Sequence, residues 1–295
     1  MTPPRFLRLC GRVVELGPRP LLMGILNATP DSFSDAGAHP DLEARATELL
    51  GAGADLLDVG GETASGHHPA VSAEEEIERV VPLIERLAGR GATVSVDTHK
   101  PEVAEAAIAA GAVLVNDVSG LRDVALADLC ARTGAGLVIT HTRVAPKGTL
   151  LDPDRYDDVV ADVSGFLHER MAVAIARGVD PEQLLLDPGP DFAKTPAQTV
   201  AVLRRLDRLH ELGRPLLLAI SNKDFVGALT GRPPRERLAG TLAAIAHGVE
   251  AGAHVLRVHD VAAAADFLRV HSALRGDLEL APDEGLTPDR YPDGP

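Results

Sequence analysis

The segment LLMGILNATPDSFSD, Leu21 to Asp35, decides the fold. The apolar run Leu21–Leu26 is cut off at Asn27 by a polar loop, broken at Pro30 and carrying Thr29, Asp31, Ser32, Ser34 and Asp35. The run reads as a strand. The loop reads either as a capped turn or as chemistry held in place by that strand. Repetition along the chain decides between the two. Similar runs recur at Asp55–Val59, Thr93–Val96, Val113–Val115, Leu137–Thr140, Leu184–Leu186, Leu216–Ile220 and His254–Val258. Most are nearly continuous in Val, Leu and Ile, as parallel strands buried on both faces must be. Between them, helical periodicity covers Glu74–Leu87, Glu102–Ala109, Val159–Ala176, Thr199–Leu212 and Glu236–Val249. Gly-Ala pairs at 53–54, 91–92, 111–112, 134–135 and 252–253 precede strands, where a left-handed glycine ends a helix. Eight strand–helix alternations predict an α/β fold of the (β/α)8 TIM barrel type, as one domain over residues 1–275. The doubly wound alternative lacks its G-x-G-x-x-G turn after the first strand.

Composition narrows the partners. Basic residues number 29 and acidic residues 43, a net charge of −14, which repels nucleic acid and anionic membranes as main partners. An anionic small molecule is still allowed, because a local cationic cluster outweighs a distant field. Aromatics are only 3% of the chain, so the core has to be aliphatic. Cys10 and Cys130 lack metal spacing and read as unpaired thiols of a cytoplasmic protein. Met1–Arg12 lacks a signal peptide's apolar core, and no run reaches the roughly 20 residues a membrane helix needs. Residues 276–295 form an acidic tail rich in Pro and Gly, expected to be disordered.

Barrel sites form at the C-terminal ends of strands. The residues there are Asn27, Asp58 with Glu62, Asp97, Asn116 with Asp117, His141, Asp187, Ser221 with Lys223, and Arg257 with His259 and Asp260. A structural protein has no need to aim so many polar groups at one mouth. Several have a plainer reading. Asp97 could cap the helix near Pro101, Asp187 could serve only a turn, and Lys223 could be solvated. Asp117 and Asp260 read as bonds to loop backbone. His141 reads equally as a mouth residue or a core histidine. His67-His68 reads as solvated loop, and Glu74-Glu75-Glu76 as a first helical turn favoured by the dipole.

The segments GILNATPDSFSD (24–35), DVGGE (58–62), SVDT (95–98), NDVSG (116–120), LDPG (186–189) and RVHD (257–260) fall in order at those strand ends. Over residues 20 to 272 the chain resembles the dihydropteroate synthase family. The resemblance implies condensation of p-aminobenzoate with 6-hydroxymethyl-dihydropterin diphosphate, giving dihydropteroate for folate synthesis and pyrophosphate. It also implies Mg2+ and a homodimer. It makes Asp97, Asn116 and Asp187 the binders of the pterin edge, with Lys223 reaching a ring carbonyl or nitrogen and Arg257 stacking on the ring. It turns His259 and Asn27 toward the diphosphate, with Asn27 also the Mg2+ ligand. Lys223, Arg257 and His259 are thereby the catalytic set. The chemistry agrees: ring N–H donors want buried acceptors, and a flat guanidinium stacks while attracting phosphate.

The chain also departs from the family pattern. Where the family has S-T-R-P-G, this chain reads Thr63, Ala64, Ser65, Gly66; S-R-K becomes Ser221-Asn222-Lys223. His141-Thr142-Arg143 replaces a His-Met segment, and Pro190-Asp191-Phe192-Ala193-Lys194 stands where the family prefers Ile-Gly-Phe-Gly-Lys. The pterin set is intact and the p-aminobenzoate loops are altered, as in an actinobacterial-type paralogue. The alternative is therefore a pterin-binding paralogue with little synthase activity. A barrel that transfers a methyl group from methyltetrahydrofolate is a more distant reading.

Overall fold

The computed structural model describes residues 5–29, 42–62, 70–148 and 151–281. The Pro30–Asp35 loop, Ala64, Ser65, Gly66, His67-His68 and the tail from residue 282 lie outside them. The predicted barrel is present. Its strands are β3 (Leu21–Asn27), β4 (Leu56–Gly60), β5 (Val94–Asp97), β6 (Leu114–Asp117), β7 (Gly136–Thr140), β8 (Leu184–Asp187), β9 (Leu217–Leu218) and β10 (Val255–Val258). All pair in parallel, in the order β8-β7-β6-β5-β4-β3-β10-β9, and a bridge between Leu186 and Leu216 joins the two ends of the sheet. β4 and β7 are buried at every position; the aliphatic run of β7 requires this, whereas β4 also buries Asp58 within its run.

The helices are α1 (Leu42–Gly51), α2 (Ala73–Gly89), α3 (Pro101–Ala109), α4 (Ala125–Thr133), α5 (Val159–Ala176), α6 (Pro196–Leu203), α7 (Leu206–His210), α8 (Asp224–Thr230), α9 (Leu238–Glu250) and α10 (Val261–Arg275). α2 shows why they sit where they do. Ser72 accepts the Glu75 N–H at 3.2 Å as N-cap, and Val80, Leu83, Ile84 and Leu87 form the buried stripe. All five Gly-Ala glycines have positive φ. Among the described residues, no helix is long and apolar enough to cross a membrane.

Two expectations need correcting, and one element was not foreseen. The helix read over Thr199–Leu212 is two, because Arg205 leaves helical backbone (φ −125°, ψ 35°) before α7 restarts and buries Leu206 and Leu209. Regular pairing in the Leu216–Ile220 run is confined to β9. The first residues, read only as lacking a signal peptide, form an antiparallel hairpin of β1 (Arg5–Leu9) and β2 (Arg12–Leu16). Leu7, Leu9 and Leu16 of this hairpin pack with Met23, Leu56, Leu114, Val138, Leu185, Leu217 and Val255, closing the barrel's N-terminal end.

Candidate active site

Register brings the mouth together. Asn27 pairs with Gly60, Gly60 with Asp97, and Asp97 with Asn116, so adjacent strands end at one level. A Cβ on Gly60 would lie 3.5 Å from Asp97 Cβ and 3.8 Å from Asn27 Oδ1, so the glycine keeps open the space between them. Asn27 itself is exposed to the mouth.

Beneath this level lies a buried charge network. Arg257 Nε donates to Asp58 Oδ2 at 2.6 Å, and its Nη2 donates to Asp97 Oδ2 at 2.7 Å. Asn116 Nδ2 donates to the same Asp58 oxygen at 2.8 Å. Asp58 is completely buried, so it orients the arginine and the amide together. Sequence reading placed Asp58 at a strand end but outside the pterin set. The signal was a charged residue inside Leu56-Leu57-Asp58-Val59.

Asp97 caps no helix: α3 begins after Lys100, which makes no side-chain cap, and the Lys100 N–H goes to Thr98. Burial raises the Asp97 carboxyl above the ordinary carboxylate range. Arg257 pulls it back, while Asp58, Glu76 and Asp117 push it further up. Asp187 is both a turn and a mouth residue. Its Oδ1 accepts the Gly189 N–H at 2.8 Å, and burial raises its carboxyl against Lys223, Lys194 and Arg257 nearby.

Lys223 is not a solvated lysine. Its ammonium lies 4.6 Å from the centre of the Phe192 ring, and burial lowers its pKa against the pull of Asp191 and Asp187. His259 stands at the rim, where Ser221 Oγ lies 3.0 Å from Nδ1 and also accepts the His259 N–H at 3.3 Å. Desolvation, then Arg257, Lys223 and Arg45, push His259 down to about 4, so it is neutral at neutral pH. Asp117 accepts the N–H groups of Ser119 and Leu121, and Asp260 caps α10 through the Ala263 N–H; both are structural, as read.

His141 is a core residue, not a mouth residue. It is fully buried, with Asp162 Oδ1 2.9 Å from Nε2 and Lys194 Nζ 2.7 Å from Nδ1. Burial, with Lys194 and Arg143 adding to it, pushes it down to about 4 against Asp162. Glu76 also departs from the reading of its acidic run. Its side chain is 1% exposed and pairs with Lys100 Nζ at 2.5 Å, because α2 turns that position toward the barrel. Lys100 also reaches Glu62 at 2.7 Å and the Val71 carbonyl at 2.8 Å; Lys147 pairs with Glu62 at 3.0 Å. Glu62, Glu76 and Lys147 line one cleft with Asp97, Thr98 and Phe192, and Lys100 lines the cleft beside it.

The mouth is thus divided by charge. Carboxylates and an amide form its floor, suited to a flat heterocycle with N–H donors. The cations Lys223 and Arg257 edge it, with neutral His259 beside them as a further N–H donor, suited to an anion.

Comparison with known proteins gives the same reading. The profile of the family described as pterin binding enzyme matches residues 23–259. The dihydropteroate synthase of Escherichia coli strain K12 is 40% identical over 243 residues, covering 81% of this chain and 86% of that protein. The structure of Xanthomonas albilineans dihydropteroate synthase with 4-aminobenzoic acid superposes with a TM-score of 0.84 at 46% identity, covering 92% of this chain and 98% of that one. The same enzyme in complex with 7,8-dihydropteroate gives 0.81 at 46% identity, over 91% and 98%.

Proposed function

The chain belongs to the pterin binding enzyme family, and on that premise we infer that it works as a dihydropteroate synthase. It joins p-aminobenzoate to 6-hydroxymethyl-7,8-dihydropterin diphosphate and releases pyrophosphate. The observation that carries this is the division of the mouth into an acceptor floor and a cationic rim, in a chain 46% identical to an enzyme solved with 4-aminobenzoic acid.

Each role follows from what a group has left to offer. Asn116 commits its amide N–H to Asp58, so its carbonyl oxygen is the part available to a ring N–H. Asp97 commits Oδ2 to Arg257, which leaves Oδ1 as an acceptor. Asp187 supplies a second carboxylate, and Lys223 donates to a ring acceptor. Arg257, held edge-on by two carboxylates, offers its face to the ring and its charge to the diphosphate. Ser221 Oγ accepts the His259 N–H, so its own proton goes to Nδ1 and the imidazole presents Nε2–H to phosphate oxygens. The reaction breaks the carbon–oxygen bond to the diphosphate and forms a carbon–nitrogen bond to the arylamine. Positioning and stabilisation of the departing anion are the catalytic contributions, and no enzyme nucleophile is needed.

Asn27 would hold Mg2+. Among the described residues, no three His, Cys, Asp or Glu side chains converge on a metal site. One amide oxygen therefore suits an ion that arrives with the diphosphate and keeps most of its waters. When bound, the ion would neutralise charge on the leaving group. Leu229 on α8, Leu238 on α9 and Val270 and Leu274 on α10 are exposed apolar side chains that suit a homodimer. Cys10 and Cys130 are both free thiols, which suits the cytoplasm.

The test is incubation of the pure protein with the pterin diphosphate, p-aminobenzoate and Mg2+. Dihydropteroate and pyrophosphate should form in equal amounts, and a strain lacking its own synthase should be rescued. Pterin diphosphate binding with no turnover at high enzyme concentration would overturn the synthase reading in favour of a non-catalytic pterin-binding protein.

A further inference from the structure

The loop from β8 to α6 holds three left-handed residues in five: Gly189 (φ 63°), Asp191 (φ 66°) and Ala193 (φ 51°). Asp tolerates this backbone and Ala does not, so the neighbouring contacts must hold the loop in shape. The Lys194 ammonium, 1% exposed, donates to the carbonyls of Gly189 at 2.9 Å and Phe192 at 3.1 Å and to His141 Nδ1 at 2.7 Å. Tyr156 donates its hydroxyl to the Ala193 carbonyl at 2.8 Å. The loop is fixed from below, and Phe192 rides on it.

The turn that carries Lys223 is pinned as thoroughly. The Asn222 N–H goes to Thr241 Oγ at 3.1 Å. Arg237 Nη1 donates to the carbonyls of Asn222 at 2.8 Å and Lys223 at 3.1 Å. Both partners come from the α8–α9 side. The next N–H, that of Asp224, goes instead to Asp191 Oδ2 at 2.5 Å, on the β8 loop. The other Asp191 oxygen lies 3.1 Å from Thr199 Oγ, which also accepts the Asp191 N–H at 3.1 Å. One carboxylate therefore joins the loop that carries Phe192 to the turn that carries Lys223.

We propose that Asp191 is a positioning residue: by clasping the Asp224 N–H from the β8 loop, it sets the Lys223 ammonium over the Phe192 ring and toward the mouth. A residue that only braced its own loop would need the Thr199 contact alone. The oxygen spent on Asp224 ties it to the cation that the synthase reading gives to substrate. The kinetic part of the test rests on that reading, and the titration part does not.

The experiment compares Asp191→Asn with Asp191→Ala in the full chain. Asparagine keeps an acceptor for the Asp224 N–H and suits a left-handed residue but removes the charge; alanine removes both. The groups facing Lys223 are Asp187, Asp191, Lys194, Asp224, Arg257 and His259. Loss of the Asp191 charge should therefore lower the Lys223 titration midpoint in both variants, read from its side-chain carbon resonance and assigned with Lys223→Arg. Asp191→Ala should lose about tenfold to a hundredfold in kcat/KM, the scale of one charge-assisted hydrogen bond. Asp191→Asn should keep most of the activity. An unmoved Lys223 titration in both variants overturns the proposal, as does equal kinetic loss in Asn and Ala. A wild-type protein with no turnover would sink the synthase reading, and the titration would still decide the role of Asp191.

Discussion

The same eight strands end in two different chemistries. At their N-terminal ends Met23, Leu56, Leu114, Val138, Leu185, Leu217 and Val255 meet the leucines of the β1–β2 hairpin in a wholly apolar cluster. At their C-terminal ends Asp58, Asp97, Asn116 and Arg257 hold one another by hydrogen bonds and charge, and Asp187 feels the charge of Arg257, within a few residues of that cluster along each strand. Stability at the apolar end is distributed over many small contacts. At the polar end it is concentrated in a few bonds, each of which also orients a group for substrate. Damage at the first end should show in stability alone, and damage at the second in stability and activity together.

The largest effect is expected at Asp58. Asp58→Ala leaves the Arg257 guanidinium and the Asn116 amide without their shared partner. Removing one member of a buried ion pair costs about 3–5 kcal/mol. Denaturant unfolding should show that loss, and calorimetry should show weakened pterin binding in the fraction still folded. Normal pterin affinity would mean that Asp58 does not orient the pocket. Leu9→Ala is the counterpart at the other end. Leu9 covers Gly136 so closely that a Cβ there would strike it. The substitution should lower stability by about 3 kcal/mol, in the usual range for a buried leucine, with kcat/KM unchanged below the new melting temperature. A fall in kcat/KM would mean that the hairpin does more than close the barrel.

Sequence reading saw one side of this contrast better than the other. The strands were legible because burial on both faces writes itself as unbroken Val, Leu and Ile. The mouth residues were legible because each lies within or shortly after the end of such a run. The bonds among them were not, since Arg257 and Asp58 are 199 residues apart and no local pattern joins them. The hairpin was hidden by its charged residues, which alternate with the leucines that plug the barrel. His141 and Glu76 followed the correct local pattern but were placed by side-chain partners on other elements. Asn222, read as a lost arginine, sits at φ 57°, a backbone state that asparagine adopts readily.

Acid should separate the two ends without any mutation. The apolar cluster contains no titratable group, whereas His141 behind the mouth is held at about 4, below its ordinary value near 6.5. Above that ordinary value it is neutral in both folded and unfolded chains and its full contribution is present. As pH falls from about 6.5 toward 4, the unfolded chain takes up a proton that the folded chain refuses, and stability drops. At about 1.4 kcal/mol per pKa unit, the loss approaches roughly 3 kcal/mol. Asp162 beside it is held ionised by His141 and Arg143 despite its burial and adds a loss of the same sign at lower pH. Asp97 and Asp187, both raised by burial, act in the opposite direction. Unfolding curves of the wild type minus His141→Gln isolate the histidine, and parallel pH slopes for the two would refute this assignment.

Asp97→Asn should then weaken pterin affinity by about 1.5–3 kcal/mol, the scale of a hydrogen bond to a charged group. It should cost less stability than Asp58→Ala, because Asp97 is one-fifth exposed and Asp58 is fully buried. An unchanged affinity would remove Asp97 from the pterin set. The reverse order of stability losses would mean that the floor is held together from its edge rather than from its centre.

The smallest effect tests how the polar end tolerates strain. Ala193 holds a left-handed backbone at φ 51°, where the family pattern has glycine. An L-residue there costs roughly 1–2 kcal/mol, while a glycine costs about 0.5–1 kcal/mol more in unfolded-chain entropy. Ala193→Gly should therefore raise stability by no more than about 1.5 kcal/mol in thermal unfolding. The Lys194 and Tyr156 bonds run to backbone carbonyls, which a glycine keeps, so activity should stay level. A gain in stability with a fall in activity would mean that the alanine does more than fill the position, and that strain in this loop is part of how Phe192 is presented to Lys223. A loss of stability would show that the surrounding bonds have already relieved the left-handed strain. The polar end would then resemble the apolar one, held by many shared contacts rather than by a few decisive ones.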